Sequence, residues 1–179
     1  MADHIPAVEA CGDLCLKAIY SRSMKSADAL ASLSTGSIDV HYDSPSRPNH
    51  SLEDLLSRED IKAVIICLPI MVQPDVIKKA MQAGKHVLSE KPIGPILRTS
   101  RGLIAAHGSM PTPTLWGVGE NVRFLEAISH GCRKLKETGG DVVTFSLNFY
   151  TSVRDDDKYF QAAWYAVFCS CSGARVLTQ

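Results

Sequence analysis

The sequence predicts an α/β fold organised around a mostly parallel sheet, and three observations carry that prediction. Short β-branched runs alternate with segments of helical period through residue 118, which is the pattern of strands linked by crossover helices. The stretch from Ala63 to Ser89 reads as a complete strand-helix-strand unit. That unit ends in the tripeptide Glu90-Lys91-Pro92, where an open α/β sheet presents its ligand-binding edge.

Taken in chain order, Leu14 to Tyr20 reads as a strand. A helix from Ser23 to Leu33 follows, with Met24, Ala27, Leu30 and Ala31 on one face. Asp39 to Tyr42 is a short extended run, and Ser44 to Asn49, with two prolines, is a turn or loop. Ser51 is the expected N-cap of a short helix carrying Glu53 and Asp54 in its first turn, where carboxylates complement the helix dipole. Ala63 to Leu68 is an unbroken apolar run suited to a strand covered on both faces, closed by Pro69.

Pro74 suits the first turn of the next helix, since its missing N–H would have no partner there. Val76, Ile77, Ala80 and Met81 share one face of that helix, and Gly84 provides a left-handed stop. Lys78, Lys79 and Lys85 are read as cations at its carboxyl end, and His86 to Ser89 as the second strand of a right-handed crossover. Pro95 to His107 is expected to be helical, Met110 to Pro113 a loop and Thr114 to Val118 a strand. A long amphipathic helix should come next, with Phe124, Leu125, Ile128, Cys132 and Leu135 on one side, stopped by Gly139 and Gly140. Val142 to Tyr150 has a strong β pattern.

Composition narrows the function classes. Hydrophobic residues make up 45% and charged residues 21% of the chain, values of an ordinary globular protein. Nineteen basic residues balance nineteen acidic ones without a basic run, so no footprint for nucleic acid or an anionic membrane is expected. No apolar stretch approaches the roughly 18 residues of a membrane-spanning helix, and the amino terminus lacks the pattern of a signal peptide. The expected location is the cytoplasm. Six cysteines, among them Cys67 and Cys132 in predicted strand and helix, are expected to be reduced core residues. Cys169 and Cys171 are the closest pair, and a zinc site there would lack a second ligand pair. Asp155, Asp156 and Asp157 point in different directions and are read as a solvated turn rather than a metal site.

Lys91 is the candidate catalytic residue. A lysine is ordinarily a solvated surface cation. Here Pro92 restricts Lys91 towards an extended backbone, so that its side chain leaves the sheet edge in a defined direction. Glu90 could pair with Lys91 or cap a neighbouring loop.

The run AGKHVLSEKPIGP, preceded by a strand ending in Cys-Leu-Pro and a helix beginning Gln-Pro, resembles the Gfo/Idh/MocA oxidoreductases, which include glucose-fructose oxidoreductase, inositol dehydrogenases and dihydrodiol dehydrogenase. The resemblance extends from LKAIYSRS at Leu16 through SLEDLLSREDIKAVIICLPI and GENVRFLEAI to DDDKYFQAAW ending at Trp164. It implies a Rossmann-like, doubly wound domain over residues 1–119, the start of an antiparallel α+β substrate and dimerisation domain over 120–164, and an aberrant tail over 165–179. In that family the lysine matching Lys91 stands beside the nicotinamide and hydrogen-bonds the reacting hydroxyl or carbonyl. Glu90 and Lys91 border the cofactor, Leu68 and Pro69 line the nicotinamide side, with Gln73 beside them at the next helix start, and Asn121 and Arg123 lie near the active site.

The implied activity is hydride transfer between NAD(P) and a sugar, polyol or related hydroxy compound. Ser21, Arg22 and Ser23 follow the strand that presents its last residues to the adenosine ribose. A guanidinium and two hydroxyls suit a 2′-phosphate, so NADP is the expected cofactor, with NAD the alternative since an arginine at a strand end is also ordinary. Family members are often homo-oligomers.

Departures from the family are expected to matter. The first strand and its G-x-G-x-x-G turn are missing from the alignment, in which Ile5 to Ala10 matches the remnant of the first helix. Gly117 and Gly119 form a G-x-G, but Val122 stands where a third glycine belongs, and that reading is rejected. The Asp-x-x-x-His helix that delivers the acid-base residue is also missing, through either a misread gene or a natural short form. A non-catalytic nucleotide-binding regulator, or an inactive fragment, is therefore the alternative function.

Overall fold

The computed structural model describes residues 3–46 and 48–144. The chain divides into two compact units, Met1–Ser129 and His130–Gln179. The first holds five strands and their connecting helices in the order α1 (His4–Glu9), β1 (Ala18–Ser21), α2 (Met24–Ala31), β2 (Asp39–Tyr42), α3 (Leu52–Ser57), β3 (Ala63–Ile66), α4 (Gln73–Gln82), β4 (His86–Ser89), α5 (Leu97–Gly108) and β5 (Trp116–Val118). A 3-10 turn (Asn121–Phe124) leads to α6 (Glu126–Thr138).

Among the described residues every strand pair is parallel. β1 lies beside β2 with Ala18 opposite Asp39, β3 beside β4 with Ala63 opposite His86, and β4 beside β5 with Val87 opposite Trp116. Alternation of strands and helices with parallel pairing is the Rossmann-like α/β arrangement expected from the sequence. The sheet is interrupted between β1 and β3: the strands form one two-stranded and one three-stranded sheet. A cavity of about 440 Å³ separates those edges, lined by Ile5 and Val8 of α1, Ile19 of β1, Leu55 of α3 and Val64 and Ile66 of β3.

The core gathers where α3, α4 and α5 cover β3 and β4. Leu55, Leu56, Ile61, Ile66, Ile77, Ala80, Met81, Val87 and Leu103 are buried together. Ile77 is wholly enclosed, and burying such a side chain contributes about 1.5–3 kcal/mol. Of the face predicted for α4, Ile77, Ala80 and Met81 are buried and Val76 packs partly against them. Gly84 closes α4 at φ 73°, the left-handed conformation expected of it. Ser51 caps α3: its Oγ accepts the Asp54 N–H at 3.1 Å, and an Asp54 carboxylate oxygen accepts the Ser51 N–H at 2.8 Å.

Several local expectations change. β1 begins at Ala18 rather than Leu14, which is exposed; the ladder with β2 starts only where Asp39 donates to the Lys17 carbonyl. Ser23 lies outside α2 as its N-cap, and Ala27 is the one fully buried residue of that helix's predicted face. Phe124 and Leu125 do not belong to the long helix, because the chain makes a 3-10 turn and an extended residue before Glu126. Cys132 is exposed rather than set in a core. Lys85 is no surface cation: it is 7% exposed, and its ammonium donates to the carbonyls of Arg58 at 2.6 Å and Ile61 at 2.9 Å. The segment after Thr144, including most of the predicted strand to Tyr150, the three aspartates at 155–157, Cys169 and Cys171, lies outside the described residues. Among the described residues, no helix is long and apolar enough to cross a membrane.

Candidate active site

The site forms where β3, β4 and β5 end together. The Glu90 N–H donates to the Ile66 carbonyl at 2.9 Å and the Gly119 N–H to the Ser89 carbonyl at 2.8 Å, which carries both ladders one residue past β4. Ser89 itself is fully buried, and its hydroxyl accepts the Trp116 indole N–H at 3.0 Å. Glu90, Lys91 and Pro92 therefore leave the sheet from a fixed point.

Gln73 holds that exit in place. This residue opens α4 and is 1% exposed. Its amide nitrogen donates to the carbonyls of Glu90 at 2.7 Å and Pro92 at 3.0 Å, while its amide oxygen accepts the Leu68 N–H at 3.4 Å. One buried side chain thus ties the end of β3 to both sides of Lys91. The Pro69 carbonyl accepts the Val72 and Gln73 N–H groups at 2.9 and 3.0 Å, fixing the start of α4 against the same strand end.

Glu90 does not pair with the Lys91 ammonium. One carboxylate oxygen meets His4 Nε2 at 2.9 Å, and the other accepts the Lys91 backbone N–H at 3.2 Å. Gly119 makes room for this carboxylate, since a Cβ there would stand 3.3 Å from its oxygen. The second glycine of the rejected G-x-G thus serves close packing. Lys91 is exposed, and among the described residues its ammonium has no hydrogen bond or ion pair. The Lys91-Pro92 peptide is cis. Beside Glu90, burial pushes the Cys67 thiol up from its ordinary value, with a smaller contribution from the Glu90 charge.

The remaining candidates occupy other strand ends. Ser21 ends β1, Arg22 is exposed, and Ser23 accepts the Ser26 N–H at 3.3 Å as the cap of α2. Among the described residues the Arg22 side chain makes no hydrogen bond or ion pair, which leaves its five donors free. Asn121 and Arg123 lie exposed in the 3-10 turn after β5, with the Arg123 guanidinium 5.5 Å from the centre of the Phe124 ring. The structure thus joins Leu68, Pro69, Glu90 and Lys91 through Gln73. It leaves Ser21 to Ser23 on the separate β1-β2 sheet. Sequence reasoning undervalued Gln73 and missed His4 and Gly119; the one signal available for Gln73 was a long polar side chain directly before the Pro at a helix start.

Comparison with known proteins bears on this geometry. Residues 1–107 match the GFO_IDH_MocA family model, described as an oxidoreductase family with an NAD-binding Rossmann fold. Dehydrogenase FPY6 of Fusarium mangiferae is 45% identical over 161 residues, covering 90% of this chain and 46% of the relative. A dTDP-3,4-didehydro-2,6-dideoxy-alpha-D-glucose 3-reductase of Streptomyces antibioticus is 30% identical over 127 residues, covering 71% of this chain and 34% of that enzyme. Among solved structures, a 3-ketoreductase of Actinomadura kijaniata in complex with TDP-benzene and NADP is 28% identical with a TM-score of 0.53, over 72% of this chain and 36% of its own. The chain spans less than half the length of these relatives.

Proposed function

The chain belongs to the Gfo/Idh/MocA oxidoreductases, and from that premise we propose that it serves hydride transfer between NADP and a sugar, polyol or related hydroxy compound, with Lys91 polarising the reacting oxygen. The observation that carries this reading is the free Lys91 ammonium on a backbone tied down by Gln73, Glu90 and the ends of β3 and β4. A cation presented without a counter-ion from a fixed backbone position can hydrogen-bond a hydroxyl or carbonyl and stabilise negative charge developing on that oxygen. Glu90 contributes by bonding Lys91's own N–H rather than neutralising its side chain.

The residues present fit one end of the cofactor. Arg22, with free donors at the carboxyl end of β1, suits a 2′-phosphate through charge-assisted bidentate hydrogen bonds. Ser21 and Ser23 add hydroxyls beside it, although Ser23 also caps α2. For the pyrophosphate, no G-x-G-x-x-G turn stands among the described residues. The nicotinamide, when bound, would supply or accept the hydride. Leu68 and Pro69 would border it from the end of β3, and Asn121 and Arg123 would approach from the turn after β5. The substrate class is proposed from relatives named as a deoxyglucose 3-reductase, a 3-ketoreductase and a dehydrogenase.

Nucleotide titration followed by turnover tests this. NADPH should bind saturably and more tightly than NADH, and Arg22→Ala should remove that preference. Lys91→Met should keep NADPH binding while turnover of a sugar and polyol panel falls by about 10²-fold or more. Failure to bind NADPH, or full turnover without Lys91, would overturn the proposal. Saturable NADPH binding without turnover would instead favour a nucleotide-binding regulator.

A further inference from the structure

Three side chains from separate elements converge beside this sheet edge: His4 from α1, Cys67 just past β3 and Glu90 just past β4. One donor atom from each lies within 4.8 Å of the other two, and all three residues are partly buried. We propose that His4 Nε2, Cys67 Sγ and a Glu90 carboxylate oxygen bind a zinc ion, leaving a fourth position open to water or another ligand.

The donor set points to this metal. Imidazole, thiolate and carboxylate are zinc's usual protein ligands, and three of them with an open position is the arrangement of a reactive rather than a closed structural site. Magnesium and calcium are disfavoured by the sulfur and nitrogen donors. Thiolate and carboxylate together neutralise a divalent charge, and neutral imidazole completes the set.

Distances permit the site without moving the sheet. Tetrahedral zinc, with bonds of about 2.3 Å to sulfur and 2.0–2.1 Å to nitrogen or oxygen, holds its ligand atoms roughly 3.3–3.6 Å apart. His4 Nε2 and Glu90 Oε1, at 2.9 Å, must open slightly, and no pair, all lying within 4.8 Å, must close by more than about 1.2 Å. Such changes are within reach of side-chain rotation, because His4 and Glu90 are only partly enclosed, with side-chain exposures of 26% and 37%. The backbone that carries two of the ligands is held independently. Glu90 is anchored by the Ile66 carbonyl, Gln73 and the close approach of Gly119, and Cys67 directly follows β3. The Lys91 N–H donates to the other Glu90 oxygen and so would orient the ligating carboxylate. Among the described residues, no other group of three histidine, cysteine or carboxylate side chains converges in this way. The competing account is a His4-Glu90 ion pair with Cys67 an inert neighbour.

Cobalt substitution distinguishes the two. The full chain, with Cys11, Cys15, Cys132, Cys169 and Cys171 changed to serine, is freed of metal with a chelator and titrated with Co²⁺. One equivalent should bind, giving a thiolate-to-cobalt charge-transfer band and the intense visible bands of a tetrahedral ion, and Zn²⁺ should displace it. Cys67→Ser should abolish the charge-transfer band, and His4→Ala and Glu90→Gln should each weaken zinc at least tenfold in competition with a chromophoric chelator. Absence of saturable binding, or a charge-transfer band that survives Cys67→Ser, would overturn the proposal. Should the five-serine chain fail to fold, the unmodified chain compared with Cys67→Ser alone gives the same reading by difference. The readout needs neither nucleotide nor turnover, so its failure leaves the oxidoreductase reading untouched.

Discussion

Replacing Gln73 should loosen the exit of the chain at Lys91 and cost stability out of proportion to the size of the change. In Gln73→Leu, volume is nearly conserved, so the loss is that of hydrogen bonds. Two donations, at 2.7 and 3.0 Å, to the Glu90 and Pro92 carbonyls disappear in a site 1% exposed, whereas the 3.4 Å bond from Leu68 is too long to weigh much. Each ordinary hydrogen bond contributes about 0.5–1.5 kcal/mol net, and a buried partner left unsatisfied adds to the loss, so the expected cost is about 2–4 kcal/mol. With a urea slope of about 2 kcal/mol per molar, the midpoint should fall by about 1–2 M. Gln73→Glu separates donation from shape: it is isosteric, but as a carboxylate it sets negative charge against two carbonyl oxygens, and it should be at least as destabilising as leucine. Amide exchange should also accelerate at Leu68, whose N–H bonds the Gln73 amide oxygen, and at Lys91, which lies between the two anchored carbonyls. A leucine variant within 0.5 kcal/mol of wild type, on the scale of a surface substitution at about ±0.5 kcal/mol, would refute the idea that Gln73 holds this turn.

Lys85→Met keeps the aliphatic stem but removes the ammonium that donates to Arg58 and Ile61. Hydrogen bonds from charged groups contribute about 1.5–3 kcal/mol each, partly offset by the cost of burying the charge, so a net loss of about 2–4 kcal/mol is expected in urea unfolding. A neutral result would show that this burial is fully offset by its desolvation. His41 makes stability depend on pH: burial first, then the charges of His50 and Arg58, hold its imidazole below the ordinary value. Because the folded value is depressed, protonation favours the unfolded chain, and the contribution is complete above an unfolded value of about 6.5 and lost as pH falls from there towards the folded one. The fall in urea midpoint between pH 7.5 and 5.5 should be smaller in His41→Leu than in wild type, and an equal fall in both would exclude His41 as its source.

Much of the fold was legible because local rules and tertiary packing agreed. The helical period of Val76, Ile77, Ala80 and Met81, the left-handed Gly84 and the Ser51 cap each express a preference of backbone or burial that acts within a few residues. Where the reading failed, the deciding partner was distant in sequence. Lys85 follows a helix as a surface cation would, yet two carbonyls more than twenty residues earlier draw it inside. Phe124 and Leu125 have helical spacing, but spacing could not reveal a 3-10 turn before Glu126.

The same division holds at the site. From the sequence alone came the parallel α/β class, the strand-helix-strand unit and the position of Lys91 just past a strand, because strand period, proline and glycine act locally. Only the tertiary structure decided that Glu90 turns to His4 rather than to Lys91, that Gln73 fastens the turn from beneath, and that Gly119 leaves space for a carboxylate. Those outcomes depend on which side chains meet when three strand ends come together, and contacts between residues 17 to 86 positions apart leave no periodic trace in the chain.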